Sequence, residues 1–238
     1  MVKGLILFDF HFKFIIFLIK VLKCMIKSLN HISVLTNIPF EIDEKRVLRE
    51  LRIPVKKNLK DLNEKKLAKE LKNVIEIAYG LVHGKACYNT FQIKNVFESK
   101  VILDKSETLV NSKKMAEILK DCEYCSLFVS TIGPELENHA VEMAKDDQSG
   151  AFYLEHVGNW MAEYMAEAVE KRIAQGIIKA GFISKKRYSV GYGDWHIEAQ
   201  KEILEITEAR RIGVSISESY LMIPRKSVSA LIGWERKK

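Results

Sequence analysis

The chain has 238 residues, 47% of them apolar and 29% charged, enough to bury the core of one large domain, and it carries a formal charge of +7. Most of that charge is terminal: residues 1–30 hold five Lys and one Asp, and the tail Glu235-Arg236-Lys237-Lys238 adds a net +2, which leaves about +1 for residues 31–234. A surface that tracks nucleic acid needs a basic stripe on the folded body, and this distribution argues against one.

Residues 5–24 are apolar but interrupted by Asp9, His11, Lys13, Lys20 and Lys23. The longest clean run, Phe14 to Ile19, falls far short of the roughly 20 residues that span a bilayer, and no small-residue cleavage site follows. Two readings stay open for this N-terminal extension, residues 1–30. Translation can begin at Met25, or the stretch can form a membrane-surface helix with Lys13, Lys20 and Lys27, seven residues apart, on one side.

The body starts with an extended stretch from Ile38 to Asp43, and Asp43 is placed to cap a helix over 44–51. Leu67, Leu71, Val74, Ala78 and Leu81 recur at spacings of three and four, which predicts a helix from about Asn63 to Val82 that stops near His83-Gly84. Residues 86–103 predict one or two strands, and Ser112 a cap for a short helix carrying Met115, Ile118 and Leu119. Leu127 to Ile132 reads as a buried strand ending at Gly133, with Pro134 in the first turn of a helix lined by Leu136, Ala140 and Met143. A long helix over about 150–180 shows Val157, Met161, Tyr164, Ala168 and Arg172 along one stripe. Asp194 is then a cap for a helix from Trp195 to Ile206, and strands follow at Gly213–Ser217 and Val228–Ile232. No repeat or linker divides the body, so the expected fold is α+β: a single domain with a mostly antiparallel sheet and several helices.

Four Cys (24, 87, 122 and 125) and no secretory leader indicate a reducing, cytoplasmic compartment. Cys122 and Cys125 form a lone CxxC with no second ligand pair for zinc, so ordinary partly buried thiols are expected. Radical S-adenosylmethionine chemistry needs three closely spaced Cys, and a Rossmann methyltransferase needs a Gly-x-Gly-x-x-Gly turn; neither pattern is present.

The segment from Arg187 to Trp195 combines three features. Arg187 offers a fork of donors for a carboxylate; Gly191 and Gly193 permit close backbone approach; Tyr188 and Tyr192 offer ring faces to an adenine or a cation. On composition alone it reads as a glycine-containing loop feeding a capped helix, with Asp194 as N-cap. Similarly, Asn159, Glu163, Glu167 and Glu170 share roughly one helix face and read as a solvated stripe.

Arg187, Gly191 and Tyr192 fit the form Arg-x-x-x-Gly-Tyr, and Ser217-Glu-Ser-Tyr-Leu-Met-Ile-Pro-Arg-Lys-Ser-Val-Ser229 follows. Together they resemble the activation domain of vitamin B12-dependent methionine synthase, whose later motif runs Thr-Glu-Ser-x-x-Met-x-Pro-x-x-Ser-Val-Ser-Gly. Only Ser217 and Ala230 depart from it. Ser130-Thr131-Ile132-Gly133 and the helix around Ala162-Glu163 are also similar. Gly193-Asp194-Trp195 with Gln200 looks like the short stand-alone members. The resemblance spans about residues 38–234.

It implies a protein that binds S-adenosylmethionine through Glu163, Arg187, Ser189, Gly191 and Tyr192. Its role would be reductive methylation of cob(II)alamin, which returns oxidised cobalamin to methylcobalamin in methionine biosynthesis. The cobalamin would be carried by a partner, a B12-dependent methionine synthase or related corrinoid protein, and the electron supplied by a flavodoxin, ferredoxin or similar carrier. The alternative is an accessory or chaperone protein for a corrinoid methyltransferase, without S-adenosylmethionine binding. Arg225-Lys226 departs from the full-length enzyme and is a candidate partner contact.

Overall fold

A computed structural model describes residues 31–39, 43–51, 53, 65–107 and 109–237. The N-terminal extension over residues 1–30 lies outside them, as do residues 40–42 of the first extended stretch and the expected helix start at Asn63.

In chain order the elements are β1 (Ser33–Thr36), α1 (Glu44–Glu50), α2 (Lys65–Leu81), β2 (Lys85–Val96), β3 (Lys100–Leu103), β4 (Val110–Asn111), α3 (Lys113–Leu119), β5 (Cys122–Thr131), α4 (Glu135–Met143) and α5 (Gln148–Lys179). They continue with β6 (Phe182–Ser184), β7 (Tyr188–Ser189), α6 (Ala199–Ile206), β8 (Ser215–Ile216), β9 (Met222–Ile223) and β10 (Ser227–Arg236). The main sheet runs β4-β3-β2-β5-β10-β6, with β1 added beside β2 and β7 beside β10, and its pairings are antiparallel. The α+β class with a mostly antiparallel sheet is what the sequence indicates.

Helices cover both faces of the sheet. Phe128, Ala230, Ile232 and Trp234 belong to one core with α1, α2, α4 and α5. Leu127, Val129 and Leu231 belong to the other with α3 and α6. A strand buried on both sides has no solvent-facing side, and every residue of β5 from Cys125 to Thr131 is buried, Ser126, Ser130 and Thr131 included. Asp43 and Ser112 cap α1 and α3 as expected, accepting from Lys45 N and Met115 N.

Four details differ from the sequence expectations. Pro134 stands one residue before α4, at its N-cap position. The buried stripe of α5 leaves Met161 through Met165, Val169, Ile173 and Ile177, whereas Arg172 is exposed. Each i+4 step overshoots a full turn by about 40°, so the buried row drifts around the helix and away from Arg172. The strand expected at 213–217 is cut to Ser215–Ile216 because a 3-10 helix, Ala209–Ile212, ends at Gly213; the remnant pairs with β9, apart from the main sheet. Finally, Asp194 does not cap the helix before Ile206. That helix begins at Ala199, since Trp195 is 1% exposed and drops into the core, its indole donating to Leu109 O at 3.0 Å.

The CxxC sits on β5. Burial pushes the Cys122 thiol up to about 11 and holds that of Cys125 higher still, so both stay protonated near neutral pH. Among the described residues no helix is long and apolar enough to cross a membrane.

Candidate functional site

A groove of about 630 Å³, a size typical of small-molecule sites, opens beside the N-terminal end of β10. One wall is α5, through Glu163 and Glu170; another is the segment around β7, through Arg187, Tyr188, Ser189 and Tyr192. Ser227–Ser229 form its third side. β10 pairs with β5 along its length, but on the opposite side β7 covers only Ala230–Leu231 and β6 only Trp234–Arg236. The strand edge at 227–229 therefore faces the groove without a strand partner among the described residues. Gln200 supports that edge, accepting from Ser229 Oγ at 3.3 Å and donating to Tyr220 O at 3.2 Å.

Arg187 is the centre of the charge arrangement, with its side chain 15% exposed. Its Nε donates to Glu170 Oε2 at 3.1 Å, its Nη2 to Glu163 Oε1, and its Nη1 to Ser189 Oγ at 3.4 Å. The backbone N–H of Arg187 also donates to Glu170, at 3.1 Å. Glu163 and Glu170 are seven residues apart, two helical turns, so they stand on one face about 10 Å apart along the axis, and Arg187 bridges them. The solvated-stripe reading of α5 holds in part: Asn159 and Glu163 are exposed, yet Asn159 accepts from Lys226 and Glu167 from Arg46, so each polar side chain of the stripe has a cationic partner.

The loop after β7 is pinned from below. Ser112 Oγ donates to Asp194 Oδ1 at 2.5 Å, and Lys113 N donates to Oδ2 at 2.6 Å. The Ser112 hydroxyl thus caps α3 with a lone pair and spends its proton on Asp194, which holds that carboxyl below its ordinary value. Gly191 N donates to Trp195 O, and Trp195 N to Tyr192 O, closing the loop on itself. Tyr192 is left 68% exposed on a fixed base at the mouth of the groove.

Of the residues singled out by sequence, Glu163, Arg187, Ser189 and Tyr192 are gathered at one groove. Gly191 shapes the turn and is not among the lining residues. Its φ of +85° is a conformation costly for other residues. Gly193 also has positive φ, and a Cβ there would come within 2.5 Å of the Tyr188 hydroxyl. Gly193→Ala is therefore expected to cost about 1–2 kcal/mol through backbone strain and to shift the Tyr188 ring. Urea unfolding would read the first effect and the tyrosine near-UV signal the second. Glu170 is a groove residue that the sequence motifs do not single out; its spacing of seven from Glu163 and the unbalanced fork of Arg187 are the signals that point to it. Lys226, a candidate partner contact by sequence, is instead 5% exposed and bound to Glu155 and Asn159, because its stem is covered by α5.

A solved structure described as the MetH reactivation domain bound to AdoHcy shares this fold with a TM-score of 0.61, at 15% identity, covering 87% of this chain and 79% of that one. No curated protein matches the sequence. The family described as vitamin B12 dependent methionine synthase, activation domain, matches residues 104–237, which include β5, α5, Arg187 and the whole of β10. By that match the chain belongs to the activation-domain family of vitamin B12-dependent methionine synthase.

Proposed function

We propose that the chain binds S-adenosylmethionine in the groove around Arg187 and supports reductive methylation of cob(II)alamin on a partner B12-dependent methionine synthase or related corrinoid protein. The observation that carries this reading is the guanidinium of Arg187 suspended between two carboxylates at a groove whose mouth bears Tyr192. S-adenosylmethionine presents an ammonium, a sulfonium and a carboxylate. An acid and a guanidinium side by side can take the first and the last, and Tyr192 offers a ring face to the adenosyl group. AdoHcy, bound in the MetH neighbour, is the demethylated form of this ligand.

In this reading Glu163 takes the ammonium, Arg187 and Ser189 the carboxylate, Gly191 shapes the loop and Tyr192 covers the adenosyl end. We place the unit over residues 38–234; β1 (Ser33–Thr36) and the last residues of β10 extend its sheet beyond both bounds. Methyl transfer from a sulfonium leaves a neutral thioether and needs little acid–base help, so the protein contributes positioning and exclusion of water. The partner's cobalamin accepts the methyl group, and one electron from a flavodoxin, ferredoxin or similar carrier completes the balance. The setting is cytoplasmic.

Calorimetric titration with S-adenosylmethionine, and with S-adenosylhomocysteine beside it, tests the proposal: saturable binding of both is expected. A flat titration at millimolar ligand would favour the accessory or chaperone reading. That second reading has one observation on its side, since the fork of Arg187 is already occupied by Glu163 and Glu170.

A further inference from the structure

Arg187 is held unequally by its two acids. Glu170 makes two contacts, to the backbone N–H and to Nε, each at 3.1 Å, and is 24% exposed. Glu163 makes one, to Nη2, and is 49% exposed. Opening the Glu163 contact breaks one hydrogen bond at the wetter side; opening the Glu170 contact breaks two at the drier side. The two Glu170 contacts also fix both ends of the Arg187 side chain's aliphatic stem, since one anchors the main chain and the other the Nε beyond the stem.

The geometry points to Glu170 as the positioning residue of this groove, holding Arg187 in place while Glu163 releases it to the α-carboxylate of an amino-acid-bearing adenosyl ligand. The inference rests on the proposed function. A guanidinium can accept a carboxylate side-on through Nε and Nη2, or end-on through Nη1 and Nη2. Glu170 occupies Nε, so the end-on face is the one left for the ligand. Ser189, at the long distance of 3.4 Å, and Glu163 now stand there. Glu163, once displaced, is free for the ligand's ammonium. The exchange keeps both acids and the guanidinium paired throughout. Without Glu170, Arg187 loses the anchor at Nε and can follow Glu163 out of register.

The test compares S-adenosylhomocysteine with 5′-methylthioadenosine, which keeps the adenosyl group and lacks the amino-acid head. Each is titrated calorimetrically into the wild-type chain, Glu170→Ala and Glu170→Gln. Glu170→Ala should weaken S-adenosylhomocysteine about tenfold or more, that is by about 1.4 kcal/mol, and leave methylthioadenosine within about twofold. Glu170→Gln, which retains an oxygen acceptor, should fall between and carries the comparison if the alanine variant does not fold. Unchanged S-adenosylhomocysteine binding in the variants, or an equal weakening of both ligands, overturns the inference. If the wild-type chain binds neither ligand, the proposed function itself fails, and this inference with it.

Discussion

Arg187→Ala is expected to lower the affinity for S-adenosylmethionine at least tenfold, a loss of about 1.4 kcal/mol or more. In the proposed reading the ligand carboxylate replaces Glu163 at the guanidinium, and Glu163 then takes the ammonium. Binding therefore turns one charge-assisted contact into two, and such contacts are worth about 1.5–3 kcal/mol each. The alanine variant leaves the carboxylate only the neutral hydroxyl of Ser189. It also leaves Glu163 and Glu170 without their shared cation, so the ligand's own carboxylate meets two like charges. Arg187→Lys should recover only part of the affinity, because an ammonium is a point charge and cannot satisfy Glu170 at Nε and a ligand carboxylate end-on together. Calorimetric titration of both variants checks this. An unchanged isotherm for Arg187→Ala would place the ligand's head elsewhere.

The surroundings of Arg187 are partly legible in the amino-acid sequence. The spacing from Arg187 through Gly191 to Tyr192, and Glu163 on a long helix, stand out only through the resemblance to the activation-domain family; by themselves they read as a loop and a solvated helix face. Glu170 is harder to read, since an acid on a helix face is usually solvated and nothing local tells that the segment leading into β7, 17 residues later, brings a guanidinium to it. Asp194 misleads for the opposite reason. Its local context, an acid before a helical pattern, is a good cap signal, but Trp195 has a better place in the core, and the carboxylate then reaches Ser112 and Lys113, more than 80 residues back. Local rules find the caps at Asp43 and Ser112, where the side chain's nearest free donors are those of its own helix. The sheet edges β1, β6 and β7 are four, three and two residues long, too short for a period-2 pattern to register.

Lys226 carries the second large effect. It is 5% exposed on the turn into β10, and its Nζ donates to Asn159 Oδ1 at 2.6 Å and to Glu155 on α5. Burial alone would raise the Glu155 carboxyl, but Lys226 and Arg225 together outweigh it and hold that carboxyl below its ordinary value. A depressed carboxyl stabilises the fold above its unfolded pKa, and the contribution is lost as pH falls through the lower folded value. Lys226→Met keeps the apolar stem and removes the charge. Breaking a fully buried pair from one side costs about 3–5 kcal/mol. Glu155 here is 29% exposed and retains Arg225 at 3.0 Å, so a loss of about 2 kcal/mol at pH 7 is expected. Urea unfolding should show the gap between wild type and variant narrowing as pH drops below the ordinary carboxylate range, towards what the Asn159 bond alone supplies. A gap that stays constant with pH would assign the loss to packing instead. The consequence reaches the groove because Glu155 and Glu163 lie about two turns apart on the same helix, and Lys226 immediately precedes Ser227. The Lys226–Glu155 pair thus sets the spacing between the helix that carries Glu163 and the open strand edge opposite it, and a variant that loosens it should weaken ligand binding even though it touches no ligand.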